Sequence, residues 1–280
     1  MKTIVLTIMA LVAFAANSVL CRLALGGGAI DAASFTCVRL LSGSLILMAI
    51  FKISDSRNNS ASRGSWPASL ALFLYAIAFS YAYITLDTGT GALILFGAVQ
   101  ITMIMLSILS GNRLHAAEWI GVGTAFAGFV YLVLPGVSAP SLIGFLLMTV
   151  AGIAWGIYTL QGRGSSDPLG DTCYNFLRTT PLVLMLAILV LPEAQFSTEG
   201  ILLAVVSGAI ASGIGYTIWY AALGGISTTQ AAVVQLSVPV IAALGGVVFS
   251  AETITWRMTS SGALILGGIL LVVLGRDKTA

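Results

Sequence analysis

FTCVR at Phe35–Arg39 and YNFLR at Tyr174–Arg178 read as one stretch written twice, 139 residues apart and at the same depth in the second apolar segment of each half. Other pairs fall in order around them. Ala13-Phe14-Ala15 matches Ala154-Trp155-Gly156 at a spacing of 141, Tyr83 and Leu86 match Tyr220 and Leu223 at 137, and Gly128 matches Gly268 at 140. Apolar sequences resemble one another by composition, so the order of the matches and their small offsets carry the reading. The chain divides into a first half, residues 1–137, and a second, residues 138–280, each with five apolar segments.

Composition names the solvent. Of the 280 residues 58% are hydrophobic and 8% charged, where globular chains carry about 25% charged residues. The apolar runs are Ile4 to Leu20, Ser34 to Phe51, Trp66 to Leu86, Gly89 to Ser110 and Trp119 to Leu134, then Leu142 to Leu160, Tyr174 to Leu191, Ile201 to Leu223, Thr228 to Phe249 and Met258 to Leu274. Most are long enough to cross ~30 Å of hydrocarbon as helices. Period-two alternation is absent, and in lipid the backbone must satisfy itself inside each segment. The expected fold is an all-α integral membrane protein of ten transmembrane helices. A rival reading of the first segment exists, because Lys2, an apolar core and Ala13-Phe14-Ala15 imitate a secretory signal. The run continues through Leu20, and its counterpart Leu142 to Leu160 would be orphaned by cleavage, so the segment is kept.

Basic residues set the orientation, since Lys and Arg in short loops favour the cytoplasm. With the N-terminus inside, Lys2, Lys52, Arg57, Arg63, Arg113, Arg163, Arg276 and Lys278 are cytoplasmic, against Arg22 and Arg257 outside. Both termini are then cytoplasmic in a multi-pass protein of the cell membrane. Five is odd, so the second half starts on the opposite side and its helices run the other way. The halves form two inverted-topology five-helix repeats, a plan that recurs in secondary transporters with the substrate site near the midplane between repeats.

The residues then resemble a known family. The ten-segment plan, the Arg in the second segment of each half, Pro239 followed by Glu252, and Thr255-Trp256 leading into Gly262 and Gly268 resemble the EamA-like exporters of the drug/metabolite transporter superfamily. The resemblance implies a carrier of small metabolites or toxic organic compounds, commonly outward, through a central cavity by alternating access. It covers nearly the whole chain, with motifs too loose to name a substrate. Where the pattern leads one to expect Pro and Glu in the first half, this chain has Thr102 and Asn112, so any role of that acid carries over to Glu252 alone.

Aromatic and polar residues mark out a candidate cavity. Tyr75, Phe79 and Tyr83 lie four apart on one helical stripe, answered in the eighth segment by Ser212, Tyr216, Trp219 and Tyr220, and in the sixth by Trp155 and Tyr158. The bland alternative is an interfacial aromatic belt, weighed evenly for Tyr83, Trp219 and Tyr220 near segment ends. Such walls suit amphipathic or cationic organic solutes through stacking and cation–π contact. Asn17, Gln100, Gln230 and Gln235 are amides inside segments, where each needs a partner. They serve as pore lining or as interhelical glue of about 0.6 kcal/mol. Arg39 and Arg178 read either as long side chains snorkelling to headgroups or as symmetric gates and anion contacts.

Other chemistries lack parts. His115 is the single histidine, in the short loop before the fifth segment, so a multi-histidine metal site is excluded. Cys21, Cys37 and Cys173 are odd in number and scattered. No Asp or Glu lies well inside a segment, and Asp87 and Glu118 near helix ends are expected to be solvated. The expected partners are a small organic solute and the lipid bilayer, with a homodimer left open, no nucleic acid and no cofactor. A membrane enzyme would need a clustered acid, histidine or metal set, and a channel would need a polar stripe or charged ring along one pore. The carrier reading leads.

Overall fold

The computed structural model describes residues 2–54, 63–109, 115–136, 139–162, 165–223, 225 and 228–277. Among them the first half forms α1 (Lys2–Gly26), α2 (Ala32–Ile53), α3 (Trp66–Ala82), α4 (Thr88–Leu109) and α5 (Ala116–Val133). The second half forms α6 (Leu142–Gln161), α7 (Pro168–Val190), α8 (Thr198–Val205), a π-helical stretch (Val206–Ile214), α9 (Gly215–Leu223), α10 (Thr228–Gln235), α11 (Val238–Ser250) and α12 (Trp256–Asp277). Eight spans, counting α8 through α9 and α10 through α11 as single rods, are long and apolar enough to cross a bilayer. Two shorter apolar helices, Trp66–Ala82 and Glu118–Val133, accompany them. The chain is thus an all-α, multi-pass membrane protein.

Helix starts are written in side-chain oxygens. Asp31, Ser65, Ser141, Asp167 and Ser197 each accept the backbone N–H three residues on, capping α2, α3, α6, α7 and α8. Pro67 and Pro168 sit in the first turns of α3 and α7, where a missing N–H costs nothing.

Two rods depart from the uninterrupted helices that hydropathy predicts. The ninth apolar run breaks between α10 and α11 because Pro239 has no N–H to give the Gln235 carbonyl. The chain there tightens to three-residue bonds, Leu236 N to Val233 O and Ser237 N to Val234 O, both 3.1 Å. In the eighth run the backbone widens to π over Val206–Ile214, where it crosses α2. A Cβ on Gly208 would collide with the Arg39 carbonyl, so the small residue permits the approach.

Packing pairs the halves element by element. α3 lies on α6 as α8 to α9 lie on α1, and α4 lies on α6 as α11 lies on α1. α2 packs on α7 head to tail: Phe51 near the end of α2 meets Tyr174 near the start of α7 at 5.9 Å between ring centres. At the other end the Cys37 thiol lies 3.6 Å from the Val183 carbonyl. α5 and α12 are likewise antiparallel, with Gly121 against Gly268 and Gly128 against Ile265.

Candidate functional site

The centre of the molecule is an aromatic cluster. Trp155 of α6 is the hub, with ring centres 4.8 Å from Tyr75, 5.3 Å from Tyr158 and 4.9 Å from Tyr216. Tyr75 continues to Phe79 at 5.3 Å and Phe79 to Tyr83 at 4.8 Å. Phe14 of α1 meets Tyr216 at 5.9 Å and Trp219 at 5.6 Å, both edge-on. These separations are those at which ring quadrupoles attract. Tyr83 and Trp219 are buried within this cluster.

Polar groups enter from α1, α2 and the π stretch. Asn17 donates to the Tyr75 hydroxyl (3.3 Å) and accepts from Ser207 (2.6 Å). Arg39, 2% exposed, donates to the Tyr75 hydroxyl at 3.0 Å and to Ser212 at 3.4 Å. Its guanidinium carbon lies 5.2 Å and 4.9 Å from the ring centres of Tyr75 and Phe79. Tyr75 and Ser212 occupy matching positions of the two halves at the spacing that joins Tyr83 to Tyr220. Arg39 therefore spans the junction between halves. Arg178 does not mirror it: half-buried on α7, it donates to the Arg63 carbonyl at the bundle end. Equivalence in sequence has not become equivalence in surroundings, because Arg39 faces the thin π crossing while Arg178 faces a loop.

A cavity of about 20 Å³ lies among Phe14, Asn17, Ser18, Tyr75, Phe79, Leu95, Phe96, Trp155, Ala211 and Tyr216. That is room for a water molecule and far below the ~300 Å³ a small-molecule pocket needs. Tyr158 and Trp219 stand one ring behind its wall. Gln100 is buried on α4 with its amide nitrogen unpaired, and Gln235 ends α10 at the break; neither lines the cavity. The rod of α10 and α11 contributes no wall residue, unlike the ninth segment expected from sequence. Gln230 has a side chain outside the described residues, as do Arg57, Asn112, Arg113, Arg163, Arg276 and Lys278. Ser207 was not legible as a partner of this site. It lies five residues before Ser212, and five-residue spacing shares a face only where an α-helix has widened to π.

Charges gather at the ends of the bundle. Glu252 accepts from Arg22 (3.1 Å) and from the Thr88 backbone N–H (2.8 Å), and Arg22 also reaches Asp87 at 3.6 Å. Glu118, expected in solvent, is instead 1% exposed. It turns back to accept from the His115 backbone N–H at 2.7 Å, as third residue of α5. The α1–α2 turn pairs with the stretch before α8: Asp31 N donates to Gln195 O (2.9 Å) and Ser197 N to Ala29 O (2.8 Å), flanking the antiparallel pair Ile30 and Phe196. Burial pushes the Asp31 carboxyl up, but hydrogen bonds from Ser34, Gln195 and Ala33 outweigh it and hold it below its ordinary value of 3.8. At the opposite end the Gly64 and Ser65 amides donate to Asp171 (2.7 Å) and Asn175 (2.9 Å) of α7. Among the described residues no group of three His, Cys, Asp or Glu gathers to hold a metal ion.

Known proteins now give the geometry a lineage. The profile of the EamA-like transporter family matches residues 1–134 and again residues 142–274. The chain belongs to that family. An uncharacterized protein of Pseudomonas aeruginosa is 47% identical over 275 residues, covering 98% of this chain and 96% of its own. The threonine/homoserine exporter RhtA of Escherichia coli is 26% identical over 257 residues, 89% of this chain and 83% of its own. A probable amino-acid metabolite efflux pump of Salmonella typhimurium is 24% identical over 216 residues, 72% of each. A solved crystal structure shares the fold at a TM-score of 0.62 and 21% identity, covering 96% of this chain and 98% of that one.

Proposed function

We propose that this protein carries a small organic solute outward across the cell membrane by alternating access, as two five-helix repeats of opposite orientation rock about the aromatic centre. The observation that carries this reading is the centre itself. Residues from both halves, Asn17, Tyr75 and Phe79 with Trp155, Ala211 and Tyr216, close around a cavity too small for a solute, while each end of the bundle is tied by a different set of hydrogen bonds. A carrier needs such an occluded state between its two open ones. The two separate family matches and the antiparallel pairing of α2 with α7 and of α5 with α12 support the inverted repeat, with boundaries at 1–137 and 138–280. Ten crossings follow if α3 and α5, the two shorter helices, also span. Outward direction draws on the exporters among its relatives. Tyr158, Trp219, Gln100 and Gln235 are proposed to join the wall when the centre opens.

Cells expressing the chain should tolerate or shed at least one compound in a metabolite and toxicant screen, and Trp155→Ala should abolish that difference. A confirmed substrate moved equally by the variant would remove Trp155 from the site, and no difference for any compound would defeat the carrier. Orientation is read separately with single cysteines at Asn59, outside the described residues, and Gln195. Labelling from outside at Asn59 but not at Gln195 would reverse the topology.

A further inference from the structure

Arg39 is a buried cation with no counter-charge among the described residues. Among the described residues the ion pairs are those of Arg22 with Asp87 and Glu252 and of His115 with Glu118; none includes Arg39. Its partners are neutral, the Tyr75 and Ser212 hydroxyls and two ring faces, and Nη1 has no hydrogen-bond partner at all. A charge taken out of water without an opposite charge is costly, and ionisable groups inside membrane helices mark substrate paths. Tyr75 is the link between this cation and the cavity, because one face of its surroundings is Arg39 and the other is the space beside Asn17 and Trp155.

We infer that the transported solute presents a singly charged carboxylate to Arg39 and an apolar or aromatic body to Trp155 and Tyr216; this rests on the carrier reading above. A guanidinium offers its N–H groups as a planar fork that matches a carboxylate with two parallel bonds. One idle nitrogen and one weakly held by Ser212 leave that fork available once Tyr75 and Ser212 swing aside. A phosphate dianion would bring a second negative charge, and the described residues place no second cation beside Arg39. Asn17 adds a neutral donor suited to a carboxylate oxygen or a polar substituent next to it.

The test uses purified protein in proteoliposomes and matched probes on common skeletons: phenylacetate, phenylacetamide and benzylphosphonate, with L-phenylalanine and L-leucine beside their amides. Exchange of each radiolabelled probe is followed in the wild-type protein, in Arg39→Gln and in Arg39→Lys. At least one acid should exchange about a hundredfold faster than its amide, as sites built around a buried polar group reject analogues that leave it unpaired. Arg39→Gln should erase that preference and Arg39→Lys should restore part of it. Amides or the phosphonate moving as fast as the acids would overturn the inference and leave the carrier standing. Exchange of no probe would count against both. The comparison of acid with amide in the wild-type protein decides the matter even if Arg39→Gln does not fold.

Discussion

Tyr75 shows how much one hydroxyl can hold. It accepts from Asn17 of α1 and from Arg39 of α2, so three helices meet at one oxygen. Tyr75→Phe keeps the ring in the cluster and leaves two buried donors short, an expected loss of about 1–3 kcal/mol, read as a lower unfolding temperature in detergent. An unchanged midpoint would mean that the oxygen is dispensable. Ala251 makes the opposite case. It ends α11 with φ at 51°, the left-handed region where an ordinary side chain is crowded. Ala251→Gly should raise stability by about 0.5–1 kcal/mol in the same melt, the crowding relieved exceeding the added chain entropy. At this scale the aromatic stripes and Asn17 were legible from helical spacing alone. The difference between Arg39 and Arg178 was not, because it depends on what crosses each helix and not on the helix itself.

Among elements, α5 and α12 form a seam of close backbone contact. A Cβ on Gly121 would stand 2.5 Å from the Gly268 carbonyl oxygen, and one on Gly268 would stand 2.5 Å from that of Gly121. Alanine at either position must push the helices apart, with an expected loss of about 1–3 kcal/mol. Gly123 and Gly267, where a Cβ would meet nothing within 4 Å, supply the control: alanine there should be neutral or slightly stabilising. Equal effects at all four glycines, measured by thermal melts, would dismiss the seam. The apolar runs located the helices well, since hydrocarbon length and backbone satisfaction leave little freedom. They hid the break at Pro239 and the π stretch at Val206–Ile214, because hydropathy averages over a window and is blind to a missing N–H or one extra residue per turn.

For the whole molecule, the two end ties become the objects to manipulate. Ile30 and Phe196 face each other as a pair flanked, not joined, by backbone bonds, the arrangement in which side chains come closest. Cysteines at both positions should form a disulfide under oxidant. If the ends open in turn, oxidation should stop transport and reductant should restore it; transport that continues with the bond formed would exclude opening at that end. The same tie responds to acid. The folded Asp31 carboxyl titrates below its unfolded value, so between the two values the unfolded chain binds more protons and stability falls as pH falls. The tie is complete above pH 3.8 and is lost as pH drops through the lowered value. Amide exchange at Gln195 should accelerate only in that acid range, and acceleration near neutrality would assign the tie elsewhere. The plugged centre has a further consequence. The buried positive charge of Arg39 beside a cavity with room for about one water should keep protons and sodium ions from crossing by this route. A cell can then keep many copies in an energised membrane without short-circuiting it, and a pH-dye leak assay on liposomes holding Arg39→Gln would register the loss of that insulation.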